Sequence, residues 1–315
     1  MAETVASAPG KIILFGEHAV VYGHPAIAVP VTQVRATAIV RDSQTPGVRL
    51  MAPDLGRDDW LAEAGEDDAL AAAVRLVAQR ANLAALPDLE ITVHSTIPIA
   101  SGLGSGAATA AALIRALSGH LNQPDLGSDG AVCDLTYLVE QIHHGTPSGI
   151  DNTVVAYERP VYFVRQSPAN RIERLVVGRP LHFLVGDTGL RSSTRAVVSD
   201  VRRQWEAARQ RFETIFRACG AIAVEARAAL EHGDQGRLGA LLTENHSWLQ
   251  EMTVSDPALD HLVEAAERAG ALGAKLSGAG RGGNMIALVE PGQQASVRAA
   301  LLAAGAVQVL ASVLQ

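Results

Sequence analysis

Apolar and polar positions keep one rhythm up to about residue 190 and another beyond it. The early half is made of short runs. Lys11 to Gly16 is apolar after its first residue and is bounded by Pro9-Gly10, which predicts a buried strand or the turn leading into one. Pro30 to Arg41 alternates well enough for a second strand, and Leu89 to Thr96 alternates as a half-buried strand. Between them, Asp54 to Asp68 is acidic and irregular and reads as a loop, whereas Ala69 to Ala81 has helical spacing. A Gly/Ser-rich turn then opens into an Ala-rich helix over Ala107 to Leu117. A further helix over Asp134 to His144 breaks at Gly145-Thr-Pro-Ser-Gly149, and Pro160 to Arg165 and Leu181 to Val185 read as strands. Ser167 to Arg171, polar and turn-forming, reads as a candidate domain junction. From Thr194 to Ala269 two or three long helical patterns follow, then strand, glycine loop, strand and a final helix. The pattern as a whole is α+β in two halves, each with its own glycine loop.

Composition narrows this. A chain of 315 residues suits two domains. With 48% apolar, 19% charged and only 4% aromatic residues, it should fold around aliphatic cores. The net charge of −7 argues against nucleic acid as a partner, and Arg202-Arg203 reads as a solvated helix face. Cys133 and Cys219 are far apart and form no CxxC motif, so neither a disulfide framework nor a thiolate metal site is expected. The N-terminus lacks the pattern of a secretory signal, and no apolar run approaches the ~20 residues of a membrane span. These features together give a cytoplasmic reading.

Pro98-Ile-Ala-Ser-Gly-Leu-Gly-Ser-Gly-Ala107 lies between a strand and a helix. Glycines let the backbone approach a ligand, and the amides of a helix start attract phosphate oxygens. A glycine-rich turn without a ligand is the other reading of the loop taken alone. Gly102-x-Gly104-x-x-Ala107 also fits a dinucleotide-binding fingerprint, but that needs a strand ending in an acid about 20 positions on. His120 to Asp129 is a loop instead. Gly278-Ala-Gly-Arg-Gly-Gly283 spells the same fingerprint and runs into a strand where a helix is required. The only Gly-Lys pair, Gly10-Lys11, precedes Ile12, which rules out a P-loop.

Other polar residues interrupt apolar surroundings. Lys11 heads a strand, Glu17-His18 breaks the run Ile12 to Val21, Glu140 lies near a helix end, and Asp151 closes His144 to Asp151. Asp187 to Thr194 directly follows a strand. Phosphoryl transfer needs a metal-binding carboxylate, a cation and a carboxylate near the accepting hydroxyl. Glu140, Lys11 and Asp151 can supply these in turn. Each alone reads equally as a solvated charge or turn former.

Together these segments resemble the GHMP small-molecule kinases. Ser7 to Gly23 resembles the family's opening motif, Pro98 to Ala108 its phosphate loop, His144 to Asn152 the segment with its catalytic aspartate, and Lys275 to Gly283 its third motif. The resemblance implies a two-domain GHMP fold. It divides into residues 1–180, with a left-handed β-α-β unit, and a ferredoxin-like 181–315, with both substrates between them. It implies ATP over Pro98, Ala100, Ser101, Gly102, Leu103, Gly104, Ser105 and Gly106, and Mg²⁺ on Glu140 and Ser105. It implies Asp151 as base or orienting carboxylate and Lys11 beside the γ-phosphate. Glu17, His18 and Thr194 would face the acceptor, with His18, Thr194 and Arg195 as hydrogen-bond donors to it. The opening motif and HGTPSGIDN favour the branch whose acceptor is mevalonate, phosphorylated on its C5 hydroxyl. The alternatives are phosphomevalonate as acceptor, a diphosphomevalonate decarboxylase-like reaction, or a catalytically silent nucleotide-dependent regulator. Family analogy also suggests a homodimer. Two positions depart from the family: Gly106 stands where a serine is usual, and Arg281 stands where glycine is common and implies an extra cation near the phosphates.

Overall fold

A computed structural model describes residues 2–98, 102–144 and 147–315, with the backbone alone for His143 and His144. Strand β1 runs Glu3–Phe15, a 3₁₀ turn follows at Ala19–Tyr22, and β2 spans Pro25–Asp42. Next come β3 (Val48–Ala52), β4 (Arg57–Trp60), α1 (Ala69–Arg80), β5 (Leu89–Ser95) and α2 (Ser105–His120). They are followed by α3 (Asp129–His144), α4 (Ile150–Tyr157), β6 (Val161–Val164), β7 (Arg171–Arg174) and β8 (Leu181–Asp187). Four helices then run in succession: α5 (Thr194–Ala207), α6 (Arg209–His232), α7 (Gln235–Glu251) and α8 (Pro257–Arg268). The chain finishes with β9 (Gly273–Ser277), β10 (Asn284–Val289), α9 (Gln294–Ala303) and β11 (Gln308–Leu314).

The chain forms two interleaved units. One holds Met1–Lys11, Thr32–Ile99 and Gly104–Glu158; the other holds Ile12–Val31, Ala100–Leu103 and Arg159–Gln315. In the first unit the strands lie in the order β4-β3-β5-β2, with β3 parallel to β5 and the other pairs antiparallel. Helix α2 is the hub of its helical layer. Its Ala107, Ala108, Ala110, Ala111, Ala112, Ala116 and the larger Leu113, Ile114 and Leu117 are all buried, and α1, α3 and α4 all pack on it. Small side chains on nearly every face let three neighbours approach one helix.

In the second unit the start of β2 pairs with β6, and β6 with β7. A separate antiparallel sheet has the order β11-β8-β10-β9. Numbered along the chain this is 4-1-3-2, and its β-α-β-β-α-β succession is the ferredoxin-like plan. Phe212, Ile215, Phe216 and Cys219 of α6 join Leu259, Leu262 and Val263 of α8 and Leu276, Met285 and Ala287 of the sheet in one apolar core. Helix starts here follow the sequence closely: Ser193, Asp234 and Asp256 each accept a backbone N–H of the following first turn.

Several expectations shift. The acidic stretch 54–68 contains β4, because Arg57 pairs with Asp59 and Asp68 and holds that edge. Four helices occupy 194–269 where two or three were expected, since Ala208, Gly233 and the turn from Met252 to Asp256 punctuate what reads as continuous periodicity. Ser167 to Asn170 lie in the connection between β6 and β7, and Arg171 opens β7, all inside one unit and not at a domain junction. Strand β11 was not anticipated. Arg202 and Arg203 are solvated on α5 as expected. Among the described residues no helix is long and apolar enough to cross a membrane, and both cysteines are buried and free.

Helix α7 lies directly on β9. A Cβ at Gly273 would sit 1.9 Å from the Gly239 carbonyl oxygen, and one at Gly239 would sit 2.2 Å from that of Leu272. Backbone meets backbone here, with no flexible side chain to yield. Gly273→Ala should therefore lose about 3 kcal/mol in urea denaturation, the upper end of overpacking costs. Gly292→Ala, where nothing lies within 4 Å, should change stability by less than about 0.5 kcal/mol. Equal effects of the two would show that this contact is not tight.

Candidate active site

Lys11 sits on β1 where the strand enters the core, and only 4% of it is exposed. Its Nζ lies 3.0 Å from Oδ2 of Asp151, the second residue of α4. Removing an ammonium from water costs several kcal/mol unless a partner meets it, and Asp151 is that partner. The Asp151 side chain keeps about a third of its surface in contact with solvent, so a ligand can reach it.

The lysine chain needs room. It lies over Gly104, where a Cβ would come within 2.8 Å of Lys11 Cγ. Gly104 is the N-cap of α2 with φ 73°, and Gly149 is the N-cap of α4 with φ 92°. Neither cap offers a side chain to the first-turn amides, unlike Asp68, Ser193, Asp234 and Asp256 at other helices. These two helix starts flank the Lys11–Asp151 pair.

Glu140 is the third charged member of this group. It is 93% buried near the end of α3, and a Cβ at Gly106 would lie 3.3 Å from its Oε1. Burial, then the nearby Asp151 charge, push its carboxyl up to about 7, with Lys11 pulling the other way. Ser105 opens α2 one residue before Gly106. Among the described residues no three His, Cys, Asp or Glu side chains form a metal cage. Mg²⁺ needs none, since it commonly takes one or two carboxylates and fills its shell with water and phosphate oxygens. A buried carboxylate crowded by a second one, beside an uncapped helix start, fits that demand.

Of the other loop residues, Gly102 is exposed with φ 81° and nothing within 4 Å of a Cβ, and Leu103 is buried. Pro98 is half-buried, while Ala100 and Ser101 lie outside the described residues, as do Gly145 and Thr146 of the HGTPSGIDN segment.

In the second unit, Glu17 and Lys275 form an ion pair with essentially no exposure, and Lys275 also donates to the Leu276 carbonyl. Sequence reasoning placed Glu17 toward the acceptor and overlooked Lys275. The visible signal was a lone cation inside the all-buried strand β9. His18 has φ 57° and donates from Nε2 to the Ala279 carbonyl at 2.9 Å. A carbonyl only accepts, so that nitrogen carries the proton. Burial lowers the imidazole pKa to about 4, so the ring is neutral at pH 7 and Nδ1 is an acceptor. The expected donor role of His18 is therefore used up by Ala279. Thr194 begins α5 and is exposed. Arg281 is not a spare cation: its guanidinium donates to Asp200 and to the Thr253 carbonyl.

The comparisons with known proteins agree with one another. Residues 68–159 match the GHMP kinases N terminal domain, and residues 226–307 match the GHMP kinases C terminal domain. A protein named mevalonate kinase from Pyrococcus horikoshii is 35% identical, over 98% of this chain and 95% of its own length. The crystal structure of L. major mevalonate kinase in complex with R-mevalonate superposes with a TM-score of 0.86 at 30% identity, covering 100% of this chain and 96% of that one. The Methanococcus jannaschii mevalonate kinase structure gives 0.86 at 25% identity, covering 100% and 99%. With both domains matched and relatives this similar along nearly its whole length, the chain belongs to the GHMP kinase family.

Proposed function

We propose that this protein transfers the γ-phosphoryl group of ATP to the C5 hydroxyl of mevalonate. The observation that carries the reaction type is the Lys11–Asp151 pair between two glycine-capped helix starts. The acceptor is supported by relatives that bear the name mevalonate kinase at about 35% identity over nearly the full chain.

In this reading, phosphate oxygens take the first-turn amides of α2. Asp151 accepts a hydrogen bond from the C5 hydroxyl and aims its oxygen at phosphorus. A loose, metaphosphate-like transition state asks little of a base until late, so orientation is the main contribution of Asp151. Lys11 stays beside the transferring group and offsets the charge on its equatorial oxygens. Mg²⁺, held by Glu140 with the Ser105 hydroxyl beside it, would neutralise charge on the β- and γ-phosphates. His18 Nδ1, as an acceptor, suits a hydroxyl of the acceptor better than its carboxylate, which leaves Thr194 and Arg195 as donors for the latter.

Three outcomes follow. Asp151→Asn and Lys11→Met should each lower kcat by about 10²-fold or more, on the order of 3 kcal/mol of transition-state stabilisation, with folded circular dichroism retained. A variant that keeps most of the wild-type kcat removes that residue from the role.

For the acceptor, ADP release should be at least about 10³-fold more efficient with mevalonate than with phosphomevalonate, homoserine or galactose. Phosphorus NMR should find the product phosphate on C5. CO₂ release or efficient turnover of phosphomevalonate would overturn the assignment.

For Glu140, the folded-state pKa near 7 lies above the ordinary value. Its neutral form is the one the metal-free fold prefers. The corresponding stability is fully present below about 4.5 and is lost as pH rises through about 7. Metal-free Glu140→Gln should keep its stability over that window, by on the order of 2 kcal/mol relative to wild type at pH 8. It should also need more Mg²⁺ for half-maximal rate, whereas Gly106→Ser, adding a hydroxyl beside Glu140 Oε1, should need less. Parallel pH–stability curves and unchanged Mg²⁺ titrations would show that Glu140 has neither part.

A further inference from the structure

The C-terminal glycine loop, Gly278–Gly283, is built almost wholly from left-handed backbone. Gly278, Gly280, Arg281, Gly282 and Gly283 all have positive φ. Such a sequence has weak conformational preference of its own, and ordering it costs backbone entropy. Neighbouring segments wall it in. Arg281 N donates to the Val254 carbonyl at 2.8 Å, and Gly283 N to that of Leu190 at 2.9 Å. Ser192 Oγ donates to the Gly280 carbonyl at 2.7 Å, and Thr188 Oγ1 to that of Gly283 at 2.9 Å. A Cβ at Gly280 would meet the Val254 carbonyl oxygen at 2.0 Å.

Side chains then close a circuit. Arg281 Nη2 reaches Asp200 Oδ2 at 2.5 Å, and its Nε reaches the Thr253 carbonyl at 3.1 Å. Gln204 Nε2 donates to the same Asp200 oxygen at 3.0 Å and to Thr253 Oγ1 at 2.9 Å. Thr253 and Arg281 themselves have φ of 67° and 54°. A β-branched residue in that region is a genuine outlier, and arginine gains nothing from it. Glycine would be the relaxed choice at both positions, so the side chains must offset the strain.

What they stabilise is local. The Arg281–Asp200 pair is partly solvated, with side chains 35% and 21% exposed, a setting in which an ion pair adds little to global stability. Strain retained against a locally easier alternative is a feature of functional sites.

We infer that Arg281 is a positioning residue: with Asp200, Gln204 and Thr253 it forms a hydrogen-bonded ring that holds the Gly278–Gly283 loop in one shape before any ligand binds. The loop thereby avoids an ordering cost at binding, so the ring lowers the substrate concentration needed for turnover. This kinetic consequence rests on the proposed kinase reading; the loop's order does not.

The test compares full-length wild type, Arg281→Gly, Asp200→Asn and the double variant. Hydrogen exchange of the ligand-free proteins, read by mass spectrometry, should be at least about tenfold faster across 278–283 in each variant, with α6 and β10 unchanged. KM for ATP or mevalonate should rise about fivefold or more, while kcat stays within about twofold. Because the ring acts as a unit, the double variant should be no worse than the worse single one. Unchanged loop exchange in Arg281→Gly, or strictly additive effects, would overturn the inference. If wild type does not phosphorylate mevalonate and the exchange difference persists, the proposed function falls and the ring stands.

Discussion

A lysine ammonium cannot be 4% exposed and charged without a partner, and much of the first unit follows from where that partner comes from. Lys11 is near the start of the chain and Asp151 near its middle, so their 3.0 Å contact ties β1 to α4. The lysine chain occupies the place of a Cβ on Gly104, which forces glycine at the head of α2. Helix α4 is in turn fixed from behind. Asn152 Nδ2 donates to the Cys133 carbonyl of α3. Past its far end, Glu158 takes two bonds from Arg35 and one from Arg115. An eight-residue helix has little stability of its own. These anchors make Asp151 a stationary group.

The electrostatics of the group follow from the same geometry. Two carboxylates, the buried Glu140 and the partly solvated Asp151, lie in the field of the Lys11 ammonium. The more buried of them answers by holding its proton up to about 7. Excess negative potential that a cation would relieve, beside helix starts that welcome phosphate, is one coherent arrangement. In the second unit charge is handled in the opposite way: Glu17 and Lys275 neutralise each other in full burial, and His18 is held neutral.

The sequence was most readable where one residue type answers one physical need. The aliphatic strands β5 and β8 and the Ala-rich helix α2 behind its glycine turn fall into this class. Lys11, Asp151 and Glu140 stood out as polar residues in apolar surroundings, but only motif resemblance joined them into one site, because nothing in local spacing says that β1, α3 and α4 meet. Strand β11 escaped because its partner is β8, over a hundred residues earlier, and Val307 to Leu314 carries little alternation of its own. Lys275 escaped because a buried lysine is legible only with its glutamate, 258 residues away. Arg281 was read as a spare cation because the sequence does not show that Asp200 and Thr253 take up its donors.

The account rests on the claim that Lys11 and Asp151 are where phosphorus changes hands. The most direct measurement is a crystal structure with a non-hydrolysable ATP analogue, Mg²⁺ and mevalonate bound together. The account predicts the C5 hydroxyl within hydrogen-bond distance of Asp151, in line with the γ-phosphorus, and Lys11 Nζ within reach of a γ-phosphate oxygen. A ternary complex in which the hydroxyl and the γ-phosphate meet away from this pair, with Lys11 and Asp151 still bound only to each other, would contradict it.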